Sequence, residues 1–306
     1  MASRVKILKS LLPELESALH SFTSSPSRFR IVRTVNPTST LPETLYILDS
    51  SFNPPSIAHL ALARSALIHP SPSDDAPYRL LLLFSTANAD KTPDPSKFAH
   101  RIALMTLFAE DLHKSLTDTS ATNAVDAKGI TGVTIDIGLT KEPYYSDKSD
   151  AIANTAPSPY PKDVTHVHLI GYDTLIRFCN PKYYPKYDPP LSALAPFFEN
   201  GHKLRVMQRP YDKNDDSSKE FGTIDEQKAY LKKLSDGERE HEGFRKEWAE
   251  NIDMVEGGNG VGVSSTRLRN AARDGAWGTV EELSTEGVAA WVKETGLYSE
   301  EASGTD

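Results

Sequence analysis

Two rhythms of apolar and polar positions run along this chain. Leu45 to Leu48, Tyr78 to Ser85, Thr165 to Gly171 and Lys203 to Gln208 are short, nearly continuous apolar runs, the pattern of strands covered on both faces as in a parallel sheet. Other segments repeat at helical intervals. Leu8, Leu11, Leu12, Leu15, Leu19 and Phe22 mark one helix over Val5 to Phe22, Ile57 to Ile68 a second, and Phe98, Ile102, Met105, Leu107 and Phe108 a third over Phe98 to His113. Phe29 to Val35, Val133 to Gly138 and Asn251 to Val255 read as further strands. A charged helix is expected over Ile224 to Trp248 with a break at Gly237, and a last helix over Val280 to Val292. The Ser/Ala/Pro-rich stretch Ser146 to Pro161, the insertion Leu116 to Gly129 and the acidic stretch Tyr211 to Gly222 read as loops. Strands alternating with helices predict an α/β protein with a parallel sheet. The chain divides into an N-terminal helix and linker at 1–40, a main domain at 41–300 and a tail at 301–306.

At 306 residues the chain can bury a large core, and 21 prolines with several Ser/Asp/Pro clusters place its modest 38% hydrophobic content in polar loops rather than in global disorder. A net charge of −8 argues against a general nucleic-acid surface but is compatible with a local cationic pocket for phosphates. The single cysteine, Cys179, rules out an internal disulfide framework and a cysteine zinc cluster and fits a reducing compartment. No apolar run approaches the ~20 residues of a membrane helix. Glu14 and Glu16 interrupt the basic, apolar N-terminus, which argues against a secretory signal and leaves a mitochondrial presequence open.

The chemistry centres on Thr44 to Leu67, TLYILDSSFNPPSIAHLALARSAL, where a buried strand leads through a tight turn directly into a helix. Pro54 and Pro55 fix φ and remove donors at the turn. Ser56 and His59, three residues apart, fall on one face of the first helical turn, where free N–H groups and the helix dipole attract an anion. A capped strand-turn-helix joint would look similar, and a second such turn weighs against that plainer reading. It is VSSTRLRNAARDG, Val263 to Gly275, where Ser264, Ser265 and Thr266 suit the cap and first turn and Arg269 stands one turn beyond Thr266. Thr86, Asn88 and Lys91 follow the Tyr78 strand, where open α/β sheets bind ligands, although a lone lysine is more often a solvated loop residue. Gly171 permits close approach at the end of the Thr165 strand, and Asp173 suits either a ribose hydroxyl or a helix start. Tyr183 and Tyr184 offer stacking or packing, and His166 and His168 read as packing or exposed residues rather than metal ligands. Gly257, Gly258, Gly260 and Gly262 do not make a GxGxxG fingerprint.

SSFNPPSIAHL at Ser50 to Leu60, LIGYD at Leu169 to Asp173 and VSSTRLRNAARDG, in this order, resemble the nicotinamide mononucleotide adenylyltransferases of the nucleotidylyltransferase superfamily, and within them a divergent fungal-type subgroup. The likeness covers roughly Leu45 to Tyr298. It implies a Rossmann-like open parallel sheet with helices on both faces, and transfer of AMP from ATP to nicotinamide mononucleotide (NMN) to give NAD and pyrophosphate, with Mg²⁺ offsetting the triphosphate charge. By motif position, Ser51 and Phe52 would contact substrate through the turn, His59 would donate to ATP phosphate and Lys91 would touch phosphate. Gly171 and Asp173 would line the ribose region, and Arg209, Ser264, Ser265, Thr266 and Arg269 would hold the nucleotide and its phosphates. The resemblance implies no resident metal, no nucleic-acid or membrane partner, and an intracellular protein, cytoplasmic or nuclear, compatible with a homo-oligomer. Three departures stand out. Ser50 replaces the usual glycine that opens the first motif, Ser56 stands where the family has His or Thr, and Tyr184 and Tyr144 stand for the tryptophans that stack the base. They keep three alternatives open: an ATP hydrolase, an adenylyltransferase acting on another phosphorylated acceptor or on nicotinic acid mononucleotide, and a nucleotide-binding interaction protein without turnover.

Overall fold

Seven strands form one sheet in the order β1-β4-β3-β2-β5-β6-β7 in the computed structural model, which describes residues 2–86, 98–118, 132–209, 211, 221–257 and 263–299. The strands are β1 (Phe29–Val35), β2 (Thr44–Asp49), β3 (Tyr78–Ser85), β4 (Thr134–Thr140), β5 (Thr165–Gly171), β6 (Lys203–Met207) and β7 (Ile252–Val255). All neighbours pair parallel except the edge strand β1, which runs antiparallel to β4. Parallel strands need crossovers, and the crossovers cover both faces with helices, so each central strand is apolar on both sides.

The alternation along β2 and β3 divides the core. Tyr46, Leu48, Leu80 and Leu82 enter one apolar layer with α1 (Ala2–Ser24), α2 (Ile57–Ile68), α3 (Phe98–Thr117), α8 (Ser265–Arg273), α9 (Trp277–Leu283) and α10 (Glu286–Thr295). Leu45, Ile47, Leu81 and Leu83 enter the opposite layer, where α4 (Tyr145–Ala153) supplies Ala151 and Ile152. Farther along that face, α5 (Tyr172–Phe178), α6 (Ala195–Glu199) and α7 (Ile224–Ser235) complete the cover over β5, β6 and β7. Register fixes which residues meet. Leu48 lies beside Leu82 in the β2–β3 ladder, and a one-residue slip would turn the whole apolar set to the wrong face.

The structure corrects the expected elements at three places. The stretch Ser146 to Pro161 begins with α4, because Tyr145, Ala151 and Ile152 find apolar partners on the sheet that local composition does not reveal. The single helix expected over Val280 to Val292 is two, since Ser284 is extended (φ −137°, ψ 171°) and Thr285 starts the next helix. The charged helix ends at Ser235, and only short 3₁₀ turns follow, because Gly237 adopts φ +81°, a conformation a helix cannot continue.

His166 and His168 project from β5 into the second layer and are fully buried. The His166 ring stacks on His202 at 4.3 Å between centroids with 7° between planes, and His168 Nε2 lies 2.8 Å from Ser149 Oγ. Burial, together with the neighbouring His202, pushes His166 down to about 3, and burial pushes His202 down to about 4. His168 is likewise held well below its usual value, chiefly by burial. All three are packing residues kept neutral by the core.

These folded values lie below the ~6.5 of an unfolded histidine, so in acid the unfolded chain takes up protons first. Stability is undiminished above about pH 6.5 and falls as pH drops toward 4, by about 2 kcal/mol for His166 alone at about pH 5. Urea unfolding at about pH 7 and 5 should show that fall, and His166→Phe, which has no proton to accept, should make it shallower.

Candidate active site

The strand order turns back on itself at the centre. The crossover from β2 leads to β3 on one side, while β5 adds to β2 on the other, which leaves a crevice beyond the carboxyl ends of β2 and β5. A cavity of ≈ 320 Å³ occupies that crevice. Asp49 and Ser50 from the end of β2, Ser56 and His59 from the start of α2, and Gly171 and Asp173 from the β5–α5 junction form much of its wall. Gln208 and Arg209 after β6, Ser264 and Ser265 at the start of α8, and Tyr145 of α4 complete it.

The floor is built by the first turn of α2. Ser56 is the N-cap residue, extended at φ −130° and ψ 172°, and its backbone N–H donates to His59 Nδ1 at 3.0 Å. The Ser56 hydroxyl lies 3.0 Å from the same nitrogen, and Ser50 Oγ lies 2.9 Å from Nε2. Phe52 is buried behind the ring, 5.4 Å from it, at a positive φ of 44° that carries the chain through the turn. Its side chain is therefore a support for His59, and only its backbone faces the turn. Burial pushes His59 down to about 4, so the imidazole is neutral at pH 7.

The second turn is bolted to the first. The Ser265 hydroxyl donates to the Pro54 carbonyl at 2.8 Å, and Arg269 Nη1 donates to the Asn53 carbonyl at 2.7 Å. Arg269 Nη2 also donates to Thr266 Oγ1 at 3.0 Å, and the Tyr298 hydroxyl donates to Asn53 Oδ1 at 2.7 Å. Ser264 caps α8 by accepting from the Arg267 N–H at 3.2 Å. Segments more than two hundred residues apart thus aim two helix N-termini at one space, a natural anion site.

Gly171 caps α5, and a Cβ there would lie 2.6 Å from Asp173 Oδ1, so glycine is what lets the carboxylate fold back over the strand end. Arg209 Nη1 and Arg177 Nη2 each approach the Asp173 carboxylate at 3.9 Å. Of the other residues expected here, Ser51 is exposed on the turn, Arg269 engages the turn, and Thr266 accepts from Arg269. Tyr144 and Tyr184 contact each other at 6.1 Å, with the Tyr184 hydroxyl donating to the Phe178 carbonyl at 2.8 Å. Lys91 and Asn88 lie outside the described residues. Thr86 spends its hydroxyl on the Thr140 carbonyl at 3.1 Å.

Sequence reasoning missed Asp49 and Lys148, and placed Tyr145 beyond a strand end without giving it a role. Lys148 Nζ forms an ion pair with Asp49 Oδ2, both side chains being about nine-tenths buried or more, and lies 4.8 Å from the Tyr145 ring centre. Burial first, then the charges of Asp49 and Asp173, holds the Tyr145 hydroxyl well above its usual range. Asp49 carried one usable signal, a charge ending a buried strand next to the turn. Lys148 carried none, since its helix was not legible.

No model of a protein family matches the chain. A Schizosaccharomyces pombe protein provisionally named nicotinamide mononucleotide adenylyltransferase is 33% identical over 233 residues, 76% of this chain and 76% of that one. The chain belongs to the nicotinamide mononucleotide adenylyltransferase family. Among solved structures, Plasmodium falciparum nicotinic acid mononucleotide adenylyltransferase with NaAD superposes with a TM-score of 0.45 at 13% identity, covering 83% of this chain and 97% of that one. The same enzyme with APC gives a TM-score of 0.40 at 12% identity, covering 83% and 96%. Membership of the adenylyltransferase family makes the chain a nucleotidyltransferase by descent, and the paired helix N-termini are the geometry such chemistry uses.

The buried ion pair at the cavity edge gives a direct test of its construction. Lys148→Met leaves the nine-tenths-buried Asp49 carboxylate without its cation and should cost about 3–5 kcal/mol in urea unfolding. Asp49→Asn added to it removes the stranded charge and should recover most of the loss.

Proposed function

We propose that this site transfers AMP from MgATP to the phosphate of NMN, giving NAD and pyrophosphate. The observation that carries the reading is the convergence of two helix N-termini on one cavity at the carboxyl end of a parallel sheet, in a chain of this family. An oxygen of the mononucleotide phosphate attacks the α-phosphorus of ATP. The bond from that phosphorus to the bridging oxygen breaks, and pyrophosphate leaves with the electron pair. No covalent bond to the protein is needed, so catalysis rests on alignment and on charge stabilisation.

The N-terminus of α2, with Ser50, Ser56 and His59, faces the phosphates where charge builds up. The start of α8 offers a second set of donors in its first-turn N–H groups and the Ser264 hydroxyl, and Arg209 adds a cation to the lining. Arg269 serves by holding the Asn53–Pro54 turn, and the family resemblance assigns Lys91 to the phosphates. Ser51 and Phe52 meet substrate through the backbone of the turn. Asp173 accepts from ribose hydroxyls above Gly171.

Two carboxylates, Asp49 and Asp173, reach the cavity, and no group of three or more His, Cys, Asp or Glu side chains gathers among the described residues. That donor set fits a Mg²⁺ that enters on the triphosphate and keeps phosphate oxygens and water as most of its ligands. Such an ion would offset the charge of the triphosphate. Among the described residues no helix is long and apolar enough to cross a membrane. The buried thiol of Cys179 and the need for ATP fit an intracellular protein.

A second reading, transfer to another phosphorylated acceptor, is favoured by one observation: Tyr144 and Tyr184 close on each other instead of leaving a slot for the base. Purified protein with ATP, Mg²⁺ and NMN should form NAD, and His59→Ala should lower kcat/KM by roughly 10²-fold or more. Nicotinic acid mononucleotide in a parallel assay ranks the two acceptors. Phosphate released without NMN, and no NAD with it, would overturn the adenylyl-transfer reading.

A further inference from the structure

Gln208, the first residue after β6, is only 2% exposed and lines the cavity. Its Nε2 is enclosed and meets no hydrogen-bond partner among the described residues. A buried amide left unmet is costly, and native proteins keep few such groups.

The backbone beside it is already engaged. The Gln208 N–H donates to the Val255 carbonyl at 2.9 Å. The Arg209 N–H donates to Gln227 Oε1 at 3.1 Å, and Gln227 Nε2 donates to the Arg209 carbonyl at 2.7 Å. Gln227 is fully buried, so this two-point clamp fixes the end of β6. The Gln208 amide keeps a freedom that the clamped backbone lacks. A half-turn of its terminal group exchanges Nε2 and Oε1 while the stem stays in place.

The strand order sets what can reach it. Gly171 pairs with Met207 and Met207 with Val255, so Gln208 stands one strand beyond the Gly171–Asp173 junction and two beyond the end of β2. Neighbouring strands lie about 4.8 Å apart, which puts Gln208 roughly 10 Å from the phosphate-facing turn. A nucleotide spans that distance from its α-phosphate through the ribose to the base. Gly257, just past the neighbouring strand β7, lines the cavity without a side chain and leaves room for a flat ring, and Val263 adds an apolar face. A carboxamide shows an acceptor and a donor side by side. Adenine shows a 6-amino donor beside a ring-nitrogen acceptor, so the two edges match in two hydrogen bonds at once.

We infer that Gln208 reads the adenine of ATP, its Oε1 accepting from the 6-amino group and its Nε2 donating to the adjacent ring nitrogen. The inference rests on the site being the ATP site of an adenylyltransferase. It makes Gln208 a specificity-determining residue for the base of the nucleotide.

The test uses full-length protein and Gln208→Met, which keeps the length of the side chain and removes both polar atoms. Calorimetry compares MgATP, the Mg²⁺ complex of purine riboside triphosphate, which lacks the 6-amino group, and inorganic tripolyphosphate. Wild type should bind MgATP roughly tenfold or more tighter than the purine analogue, and in Gln208→Met the two should come within about twofold of each other. Tripolyphosphate, which has no base, should bind both proteins alike. Removing an unmet buried amide should leave the urea midpoint no lower than that of the wild type. Gln208→Met that keeps the wild-type preference for MgATP would overturn the inference. A matching loss of tripolyphosphate affinity or a lowered urea midpoint would overturn it too, since either marks Gln208 as a structural residue. Dinucleotide formation with NMN, followed in parallel, separates this inference from the reading beneath it. A Gln208-dependent preference for the 6-amino group without any NAD removes adenylyl transfer alone. Wild-type turnover that uses both triphosphates equally well removes base reading alone.

Discussion

The Asn53 and Pro54 carbonyls are the joint on which the site depends. A tight turn after a buried strand leaves backbone acceptors pointing away from regular structure, and each unmet acceptor is costly once it is enclosed. Here they are met from the far end of the chain, by the Ser265 hydroxyl and the Arg269 guanidinium, while Tyr298 takes the Asn53 side chain. The bonds that satisfy the turn also set the distance and angle between α2 and α8. Two partial positive helix ends would repel each other if brought together without such ties, and the pairing is stored ready for an anion.

Charge in the cavity is arranged with economy. The protein as a whole is acidic, yet the crevice beyond β2 and β5 collects Arg209, two helix N-termini and neutral hydroxyl donors. Its two carboxylates are each answered by cations, Asp49 by the buried Lys148 and Asp173 by Arg209 and Arg177. An anionic ligand therefore meets carboxylates whose charge is already offset. His59 contributes no positive charge in the free protein, since burial keeps it neutral, and the Ser56 amide steadies its ring by donating to Nδ1.

Local pattern and tertiary packing part company at α4. Continuous apolar strands, the α2 and α3 periodicities and the Ser264 cap were all legible, because each depends on neighbours in sequence. Tyr145 to Ala153 was not, since its polar composition is offset by contacts with the sheet and with Lys148–Asp49, which are separated by 99 residues. The same reason explains the tyrosines. Their presence near a strand end and a loop was visible, but only packing decided that Tyr145 lines the cavity while Tyr144 and Tyr184 turn toward each other.

The sequence by itself determined the α/β class, most strands of the parallel sheet, the two strand-turn-helix and loop-helix motifs, and the family they resemble. These are local properties, written in apolar spacing, prolines and caps. Only the tertiary structure decided that the two motifs share one cavity, that Arg269 and Tyr298 hold a turn, that Asp49 needs Lys148, and that Ser50 Oγ meets His59 Nε2. Those facts turn on distances of about 3 Å between residues far apart in the chain, and hydrogen bonds of that kind are chosen by the whole packed fold rather than by any stretch of it.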